Sequence, residues 1–412
     1  MLIREGVGYY DFNIANGIRN SAAATMLGPI LDKSNLVLEL EAVVQKVILK
    51  PITDNDKHKN GPIDAKTKSG GGGINYNAIG VEYLQNGLKK MAYLKTTHIP
   101  IKDIAFSSER SVILTAGAIM TPKLLMLSGV GPSEVLEARQ ITVKVNATEV
   151  GKNLQDHPSL GMQFDVDPGV SSSLPSIYSI GKIWTNYIKA VEDKDSHAPY
   201  GILGSPGLSS GAFLRSIYAT DDSPDIQLTV YPTLFEPHLI DRYERSKSSN
   251  HTIDNKILIT VTLLQPDARY NVVLSDQPFE KGPDIILPSG KNRYLSDNDI
   301  RRLEWGISQV RKIVSSPPLS QLIRNEVSPT NLNDEAMNVW INDNVYPSSH
   351  WTGTASLGKV VDESLKVKRV EGLRIADASV IPIITNGPIH ATVVAIASLC
   401  ADIIQGKRTM NP

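Results

Sequence analysis

Thiol groups and net charge are both scarce in this sequence of 412 residues. Its one cysteine, Cys400, excludes an intrachain disulfide and a structural zinc site built on thiolates, so redox chemistry would require a bound cofactor. The 42 basic and 43 acidic side chains leave a formal net charge of -1. No global field therefore steers the chain toward nucleic acid or an anionic membrane, and a small neutral partner fits better.

Long apolar runs are also missing. No stretch approaches the roughly 18 apolar residues of a membrane-spanning helix, and Arg4 and Glu5 stand where a signal peptide needs its apolar core. We therefore expect no signal peptide in this chain and no membrane partner. The triplets at 146–148 and 250–252 match glycosylation sites, but such triplets arise by chance and are weak signals of a secreted parent protein.

What the sequence does contain is enough apolar material, 41% of its residues, for a sizeable core in two or three domains. A strand followed by a helix is predicted near each end. The first strand covers 111–117, and Thr121 and Pro122 are predicted to open its helix as N-cap and first residue. The second strand covers 373–376 and precedes an almost wholly apolar helix at 391–404.

The middle of the chain has a different character. Its β-rich runs at 226–231 and 257–264 are typical of an antiparallel sheet. Because α/β segments flank this sheet on both sides, we predict an α/β fold with a discontinuous domain at 1–160 and 346–412. A second, α+β domain at 161–345 is inserted into it.

The eight histidines include one candidate active residue. None belongs to an H-E-x-x-H motif or pairs with a carboxylate at helical spacing, so no metal site is predicted. His350 stands within 348–354 (SSHWTGT), where an aromatic side chain and small residues can shape a tight pocket. Such a pocket would desolvate an imidazole.

Three stretches agree with one known pattern in order and spacing. Residues 117–131 (GAIMTPKLLMLSGVG) are followed by 150–158 (VGKNLQDHP). The third stretch is 350–354 (HWTGT), with VVD at 360–362 and LRIADAS at 373–379 after it. The first matches the second signature of the glucose-methanol-choline oxidoreductase family, and the others are similar to that signature's usual sequel and to the family's catalytic C-terminal part. The chain therefore resembles this family.

The resemblance implies an FAD-dependent enzyme that oxidises a primary alcohol or sugar hydroxyl by hydride transfer to flavin N5. His350 matches the family's catalytic histidine, and an imidazole with an ordinary pKa near ~6.5 can accept a hydroxyl proton at neutral pH. Its companion, which hydrogen-bonds the substrate oxygen, is assigned to Asn386 in 384–388 (ITNGP). His390 is the rival, because the spacing back from Asp402 departs from the family's pattern.

The resemblance also implies a set of FAD contacts on small residues and main chain. Asp377 and Ala378 follow a predicted strand, at the edge where open α/β sheets bind ligands, with helix capping as the alternative role of Asp377. The implied contacts are Val44, Thr115, Ala116, Gly117, Asp377 and Ala378.

One departure from the family's pattern is serious. The G-x-G-x-x-G loop that cradles a pyrophosphate is absent, since 6–11 and 129–134 both fail at the third glycine. We therefore expect a partial Rossmann-like FAD-binding domain that lacks its first βαβ unit, in either a fragment or a degenerate relative. The inserted domain is expected to bind the substrate.

Two alternatives to the oxidoreductase stay open. One is a hydroxynitrile-lyase-like enzyme that keeps FAD without net redox turnover, and the other is an inactive truncated relative that binds no cofactor. The resemblance does not choose between the cellobiose-dehydrogenase-like branch and the aryl-alcohol- or glucose-oxidising branches. The substrate and the electron acceptor are equally undetermined.

Overall fold

The computed structural model describes residues 5–52, 76–94, 110–170, 177–192, 200–208, 210–232, 255–287, 294–330 and 332–407. The strands in these ranges are β1 (Gly6–Tyr9), β2 (Ile14–Ala15), β3 (Ile18–Arg19), β4 (Ala42–Pro51), β5 (Tyr76–Gln85), β6 (Leu88–Tyr93), β7 (Val112–Leu114), β8 (Val130–Gly131), β9 (Val145–Asn146), β10 (Pro158–Val166), β11 (Ser210–Leu214), β12 (Ile226–Tyr231), β13 (Lys256–Leu263), β14 (Asn271–Val273), β15 (Asp284–Ile286), β16 (Ile323–Ser328), β17 (Tyr346–Pro347), β18 (Val370–Glu371) and β19 (Leu373–Ile375). The α-helices are α1 (Gly117–Leu127), α2 (Ser133–Glu137), α3 (Ile177–Glu192), α4 (Asp297–Val314), α5 (Asp334–Asn344) and α6 (His390–Ile404).

The chain folds into two compact units, each built from three separate segments. The first unit contains Met1–Leu38, His157–Asp267 and Leu295–Ser348, and the second contains Glu39–Asp156, Ala268–Tyr294 and Ser349–Pro412. Among the described residues, no helix combines the length and apolar character needed to cross a membrane.

Two segments lie in a different unit from the one that the sequence pattern predicts. Strand β1 pairs antiparallel with β11, Gly6 opposite Phe213, and this pairing brings the N-terminal segment into the first unit. The Val272 N–H donates to the Gly151 carbonyl at 2.7 Å and so holds Ala268–Tyr294 in the second unit. Both partners lie far away in the chain, and local patterns carry no signal for such pairings.

The first unit is built on an antiparallel sheet with the strand order β1-β11-β12-β13-β10-β16. All eight residues of β13 are buried. Helix α4 packs on this sheet through Ile300, Leu303 and Ile307, the helical spacing of an apolar stripe. Where the helix comes closest, a Cβ added to Gly306 would lie 2.4 Å from Val261. The predicted central antiparallel sheet and the α/β class are confirmed.

The second unit contains the short parallel pair β7 and β19, with Leu373 opposite Val112 and Ile375 opposite Leu114. A separate antiparallel sheet is formed by β4, β5 and β6, which precede β7 in the chain. Strand β18 extends this sheet by pairing in parallel with β5. Leu125, Met126, Val361 and the parallel pair belong to one buried cluster. Strand β19 is buried along its whole length, whereas Ile113 of β7 is exposed.

Helix α1 starts earlier than the sequence predicts. It begins at Gly117 with Ala116 as its N-cap, so Pro122 lies inside the helix rather than at its first position. Gly117 has a φ of +80°, which turns the chain from β7 into the helix at a conformation that glycine adopts freely. The predicted capping role of Thr121 was wrong, because its hydroxyl donates to Asp377 instead. Gly129, with a φ of +88°, gives the chain a left-handed exit after the helix.

Candidate active site

The candidate site starts at the carboxyl ends of β7 and β19. These strands are parallel, so the residues that follow them, Thr115 and Ala116 after β7 and Asp377 after β19, come to the same edge. The Ala376 N–H donates to the Leu114 carbonyl at 3.0 Å and carries the pairing to this edge. Open α/β sheets bind their ligands outside the carboxyl ends of such strands.

The Asp377 carboxylate ties three segments together at that edge. One oxygen accepts the Gly117 N–H at 2.9 Å and the Thr121 hydroxyl at 2.6 Å. The other accepts the Ser379 N–H at 2.8 Å and the Ser379 hydroxyl at 2.5 Å. The side chain is buried and caps the 3₁₀ turn Ala378–Val380, so the capping alternative is confirmed for its carboxylate. Any cofactor contact at this residue is therefore left to the main chain.

Three of the predicted cofactor contacts, Val44, Thr115 and Ala116, line one groove of about 630 Å³. The lining also includes Met120 of α1 and Tyr93 of β6, and most of it is apolar. Binding pockets for small ligands commonly have volumes of roughly 300–1,000 Å³ and an apolar lining. The groove therefore has the size and chemistry to hold part of a large cofactor.

The main chain at the start of α1 is also open to a close approach. A Cβ added to Gly117 would meet no atom within 4 Å. Residues without bulky side chains let a ligand come close to the backbone, and a helix start favours negative charge. The residues at this edge therefore fit a dinucleotide such as FAD, although the described residues contain no G-x-G-x-x-G loop for its pyrophosphate.

His350 is held by its main chain. The Asp156 carboxylate accepts the His350 N–H at 2.6 Å through one oxygen and the Ser349 N–H at 3.1 Å through the other. Ser349 has a φ of +62°, an uncommon conformation for a residue with a side chain. Burial desolvates the imidazole and lowers the pKa of His350 below its ordinary value. The ring therefore stays neutral, and able to accept a proton, at a lower pH than an exposed histidine.

The segment after His350 runs along the turn that Asp377 caps. The Gly353 N–H donates to the Ala378 carbonyl at 3.3 Å, and the Ala355 N–H donates to the Ser379 carbonyl at 2.8 Å. The Thr354 hydroxyl donates to the Ala118 carbonyl of α1 at 2.6 Å. The structure thus joins the predicted catalytic segment to the carboxyl-end edge of β7 and β19.

The two candidates for the companion residue differ in their surroundings. Asn386 is half-buried, in a turn where the Gly387 N–H donates to the Thr385 carbonyl at 2.8 Å. His390 is exposed and is the first residue of α6. The chain just before Asn386 is fixed through Gln155, whose side-chain oxygen accepts the Ile384 N–H at 3.2 Å.

Sequence reasoning did not single out Gln155, Asp156 or Thr354 as site residues. All three lie in the motifs 150–158 and 350–354. Their contacts, however, join segments about two hundred positions apart, as the 194-residue separation of Asp156 and His350 illustrates. The polar Gln-Asp pair in the first motif was the available signal. Within the described residues, no three His, Cys, Asp or Glu side chains are grouped so that they could hold a metal ion.

The fold and this edge define an α/β protein of the class that binds ligands at the carboxyl ends of parallel strands. Two family models, both described as GMC oxidoreductase, match residues 4–159 and 286–397. The chain belongs to the GMC oxidoreductase family, and the resemblance found in the sequence is confirmed.

The individual relatives and solved structures share less than a third of their residues with this chain. The chain is 28% identical over 421 residues to the oxygen-dependent choline dehydrogenase of Photobacterium profundum, an alignment that covers 99% of this chain and 63% of that protein. Among solved structures it is similar to a variant of Aspergillus oryzae RIB40 formate oxidase, with a TM-score of 0.75, 24% identity and coverage of 96% and 64%. An FAD-dependent oxidoreductase from Chaetomium thermophilum gives a TM-score of 0.67 at 21% identity, with coverage of 98% and 67%. The chain therefore spans about 63% of the length of the curated relatives.

Proposed function

We propose that this chain carries the catalytic residues of an FAD-dependent oxidoreductase that oxidises a primary alcohol or a sugar hydroxyl. The observation that carries the proposal is the attachment of the His350 segment to the capped turn at the end of β19, through the bond from Gly353 to the Ala378 carbonyl. A desolvated histidine thereby belongs to the same unit as a ligand-sized groove. The relatives named choline dehydrogenase and FAD-dependent oxidoreductase support the same class of reaction.

In this proposal the second unit is the FAD-binding part and the first unit is the substrate-binding part. The adenine side of FAD would lie at Val44, and the main chain of Thr115, Ala116 and Gly117 would approach the dinucleotide. The main chain of Asp377 and Ala378 would face the flavin. A bound flavin would supply the hydride acceptor for the alcohol carbon.

His350 acts in this scheme as the base for the substrate hydroxyl. Its desolvation keeps the imidazole neutral, which a base requires before it can take the hydroxyl proton. Asn386 then donates a hydrogen bond through its side-chain amide to the substrate oxygen, which gains negative charge as the proton leaves. We prefer Asn386 to His390 because it is half-buried, and a hydrogen bond to developing charge is stronger away from water.

The test begins with flavin binding. Purified protein is reconstituted with FAD, and its visible spectrum is recorded before and after anaerobic addition of choline and a panel of primary alcohols and sugars. Retained flavin bands that bleach on addition of one substrate support the proposal. A spectrum without flavin bands after reconstitution would support the alternative of a relative without cofactor. A flavin that stays oxidised while an aldehyde is released would support the lyase.

The assignment of residues is tested on the same protein by transient kinetics. His350→Ala should retain FAD, whose proposed contacts lie elsewhere, and should slow flavin reduction by about 10²-fold or more. Asn386→Ala should have an intermediate effect, since it removes one neutral hydrogen bond. His390→Ala is the matched control and should do much less. If His390→Ala were more damaging than Asn386→Ala, the companion role would pass to His390, and a wild-type rate in His350→Ala would refute the base.

A further inference from the structure

Consecutive residues, Gln155 and Asp156, hold the chain on both sides of His350. Asp156 accepts the N–H groups of Ser349 and His350. The Gln155 main chain exchanges two hydrogen bonds with Thr352, one in each direction and both 3.0 Å long. The main chain before His350 and the main chain after it are therefore both fixed by the same two residues.

The contact with Asp156 is specific for a carboxylate. Successive N–H groups next to a residue with a positive φ form a concave site that binds an anion, and Ser349 supplies that conformation. Asp156 is buried, so an amide in its place could accept one N–H but would turn its own NH₂ group toward the other. Buried groups left without a partner in this way cost free energy.

Gln155 adds a second connection through its side chain. Its oxygen accepts the Ile384 N–H at 3.2 Å, and its nitrogen donates to the Pro382 carbonyl at 3.1 Å. The side chain is fully buried. It thus links the strand-like bridge at Thr352 to the segment that leads into Asn386.

Space at this connection is restricted. A Cβ added to Gly353 would lie 2.4 Å from the Asn153 carbonyl oxygen and 2.8 Å from the Gln155 side-chain nitrogen. Gly353 has a φ of +95°, so a side chain is excluded by conformation as well as by contact. The segment from His350 to Gly353, which lies against Gln155, therefore has little freedom to take another path.

We propose that Gln155 and Asp156 are positioning residues that set where His350 lies relative to Asn386. The inference rests on the proposed function, because the position of His350 relative to Asn386 matters only if the two act as base and hydrogen-bond donor. Misplacement of a reacting group by about 1 Å can lower a rate by roughly 10²-fold, so a clamp on the main chain matters even without contact to the substrate.

The chain offers a matched control for Asp156. The carboxylate of Asp362 accepts the N–H groups of Ser364 and Lys366, both at 2.9 Å, across Leu365 with its φ of +61°. Asp362 lies in the same unit and has no assigned part in the chemistry. Asp362→Asn therefore makes the same chemical change at a site where a single oxygen, Oδ1, accepts both N–H groups, so the amide oxygen can keep both hydrogen bonds.

The first measurement does not need FAD or activity. Amide hydrogen exchange is followed by mass spectrometry in the wild-type chain, Asp156→Asn, Gln155→Met and Asp362→Asn. Asp156→Asn should speed exchange in a peptide covering 348–354 by about tenfold or more, the effect of one lost buried hydrogen bond. Gln155→Met should do the same for a peptide covering 382–386, and Asp362→Asn should leave both peptides unchanged. Unchanged exchange in both Asp156→Asn and Gln155→Met would overturn the inference.

The second measurement separates positioning from a loss of folded protein. Stopped-flow reduction of the FAD-reconstituted protein gives a rate constant for the competent fraction and an amplitude that reports its size. Asp156→Asn and Gln155→Met should lower the rate constant by roughly 10- to 100-fold. Asp362→Asn should change only the amplitude.

The outcomes distinguish this inference from the proposed function. A wild-type rate constant in His350→Ala refutes the role of His350 as the base, whereas reconstituted protein without flavin bands refutes the proposed function. A slow His350→Ala combined with wild-type rate constants in Asp156→Asn and Gln155→Met refutes the positioning role alone. If Asp156→Asn does not fold, Gln155→Met, which carries no change of charge, decides the same question.

Discussion

The Thr354 hydroxyl donates to the carbonyl of Ala118 at a distance of 2.6 Å, inside the buried part of helix α1. Ala118 is four residues before Pro122, and a residue with an N–H at position 122 would bond this carbonyl within the helix. Proline has no N–H and leaves the carbonyl without its helical partner. The threonine side chain therefore completes the helix and, in the same contact, attaches the His350 segment to it.

A double-mutant cycle tests this relationship. Thr354→Val should lower the free energy of unfolding by about 1–3 kcal/mol, because it leaves a buried carbonyl unpaired. In a Pro122→Ala background, where the new N–H can reach the Ala118 carbonyl, the same change should cost about 1 kcal/mol less. Urea unfolding of the four proteins gives the coupling. Equal costs in both backgrounds would contradict the inference that the Thr354 hydroxyl takes the place of the N–H that Pro122 lacks.

The Asp377 carboxylate is expected to be structural as well as close to the cofactor. Asp377→Ala removes the acceptor of a partly buried N–H at Gly117 and a buried N–H at Ser379, and should lower the free energy of unfolding by about 2–4 kcal/mol. Thr121→Val, which removes one hydroxyl donor of the same carboxylate, is the matched control and should cost about 1 kcal/mol. Chemical denaturation measures both. A larger loss in Thr121→Val than in Asp377→Ala would be inconsistent with this arrangement.

Two glycines with positive φ separate cofactor binding from folding. Gly117→Ala adds a methyl group where no atom lies within 4 Å, so it should cost only about 1–2 kcal/mol of backbone strain. If FAD approaches the main chain there, the same change should weaken its binding by roughly tenfold or more, equivalent to about 1.4 kcal/mol. FAD titration followed by flavin fluorescence measures the affinity.

Gly353→Ala provides the comparison. Its Cβ would overlap the Asn153 carbonyl oxygen at 2.4 Å, so the loss of stability should exceed that of Gly117→Ala. Thermal unfolding without FAD ranks the two variants. If Gly117→Ala bound FAD as tightly as the wild type, Gly117 would not be a contact of the cofactor.

The burial of His350 predicts a pH dependence of stability. Desolvation lowers the pKa of His350 in the folded chain, so between this lowered value and about 6.5 the unfolded chain binds more protons. Stability should therefore rise with pH across this window and be lost as the pH falls through it. The rate of flavin reduction should fall in the same direction, because the imidazolium cannot accept the substrate proton.

Urea unfolding at a series of pH values from about 5 to 7 checks this expectation in the wild type, His350→Asn and His390→Asn. His350→Asn should flatten the dependence in that window. His390→Asn leaves His350 in place and should keep it. The same slope in His350→Asn as in the wild type would show that another group is responsible.

Local elements of the fold follow closely from the sequence. The β-rich run at 226–231 is found as β12 with the same bounds, and the apolar residues at helical spacing from Ile300 to Ile313 lie in α4, which begins three residues before the first of them. The earlier start has a local cause, since Ser296 and Asp299 form a capping box that the apolar periodicity alone does not show. Such elements depend on neighbouring residues, so a sequence pattern is enough to predict them.

The candidate site follows only in part. The short motifs around 117, 350 and 377 indicated the family and the segments that carry the site. Small residues let a cofactor come close to the main chain, and an imidazole can act as a base, so these residue types are tied to the chemistry. The sequence by itself determined the family, the class of fold and His350 as a candidate. None of these requires knowledge of which distant segments meet.

The tertiary structure alone decided the contacts between segments. It placed Met1–Leu38 in the first unit by pairing β1 with β11, and it engaged the Asp377 carboxylate with Gly117, Thr121 and Ser379. It also brought Asp156 to the main chain of His350 across 194 residues of sequence. A hydrogen bond between segments so far apart depends on how whole elements pack, and neither hydrophobic periodicity nor residue spacing records that packing.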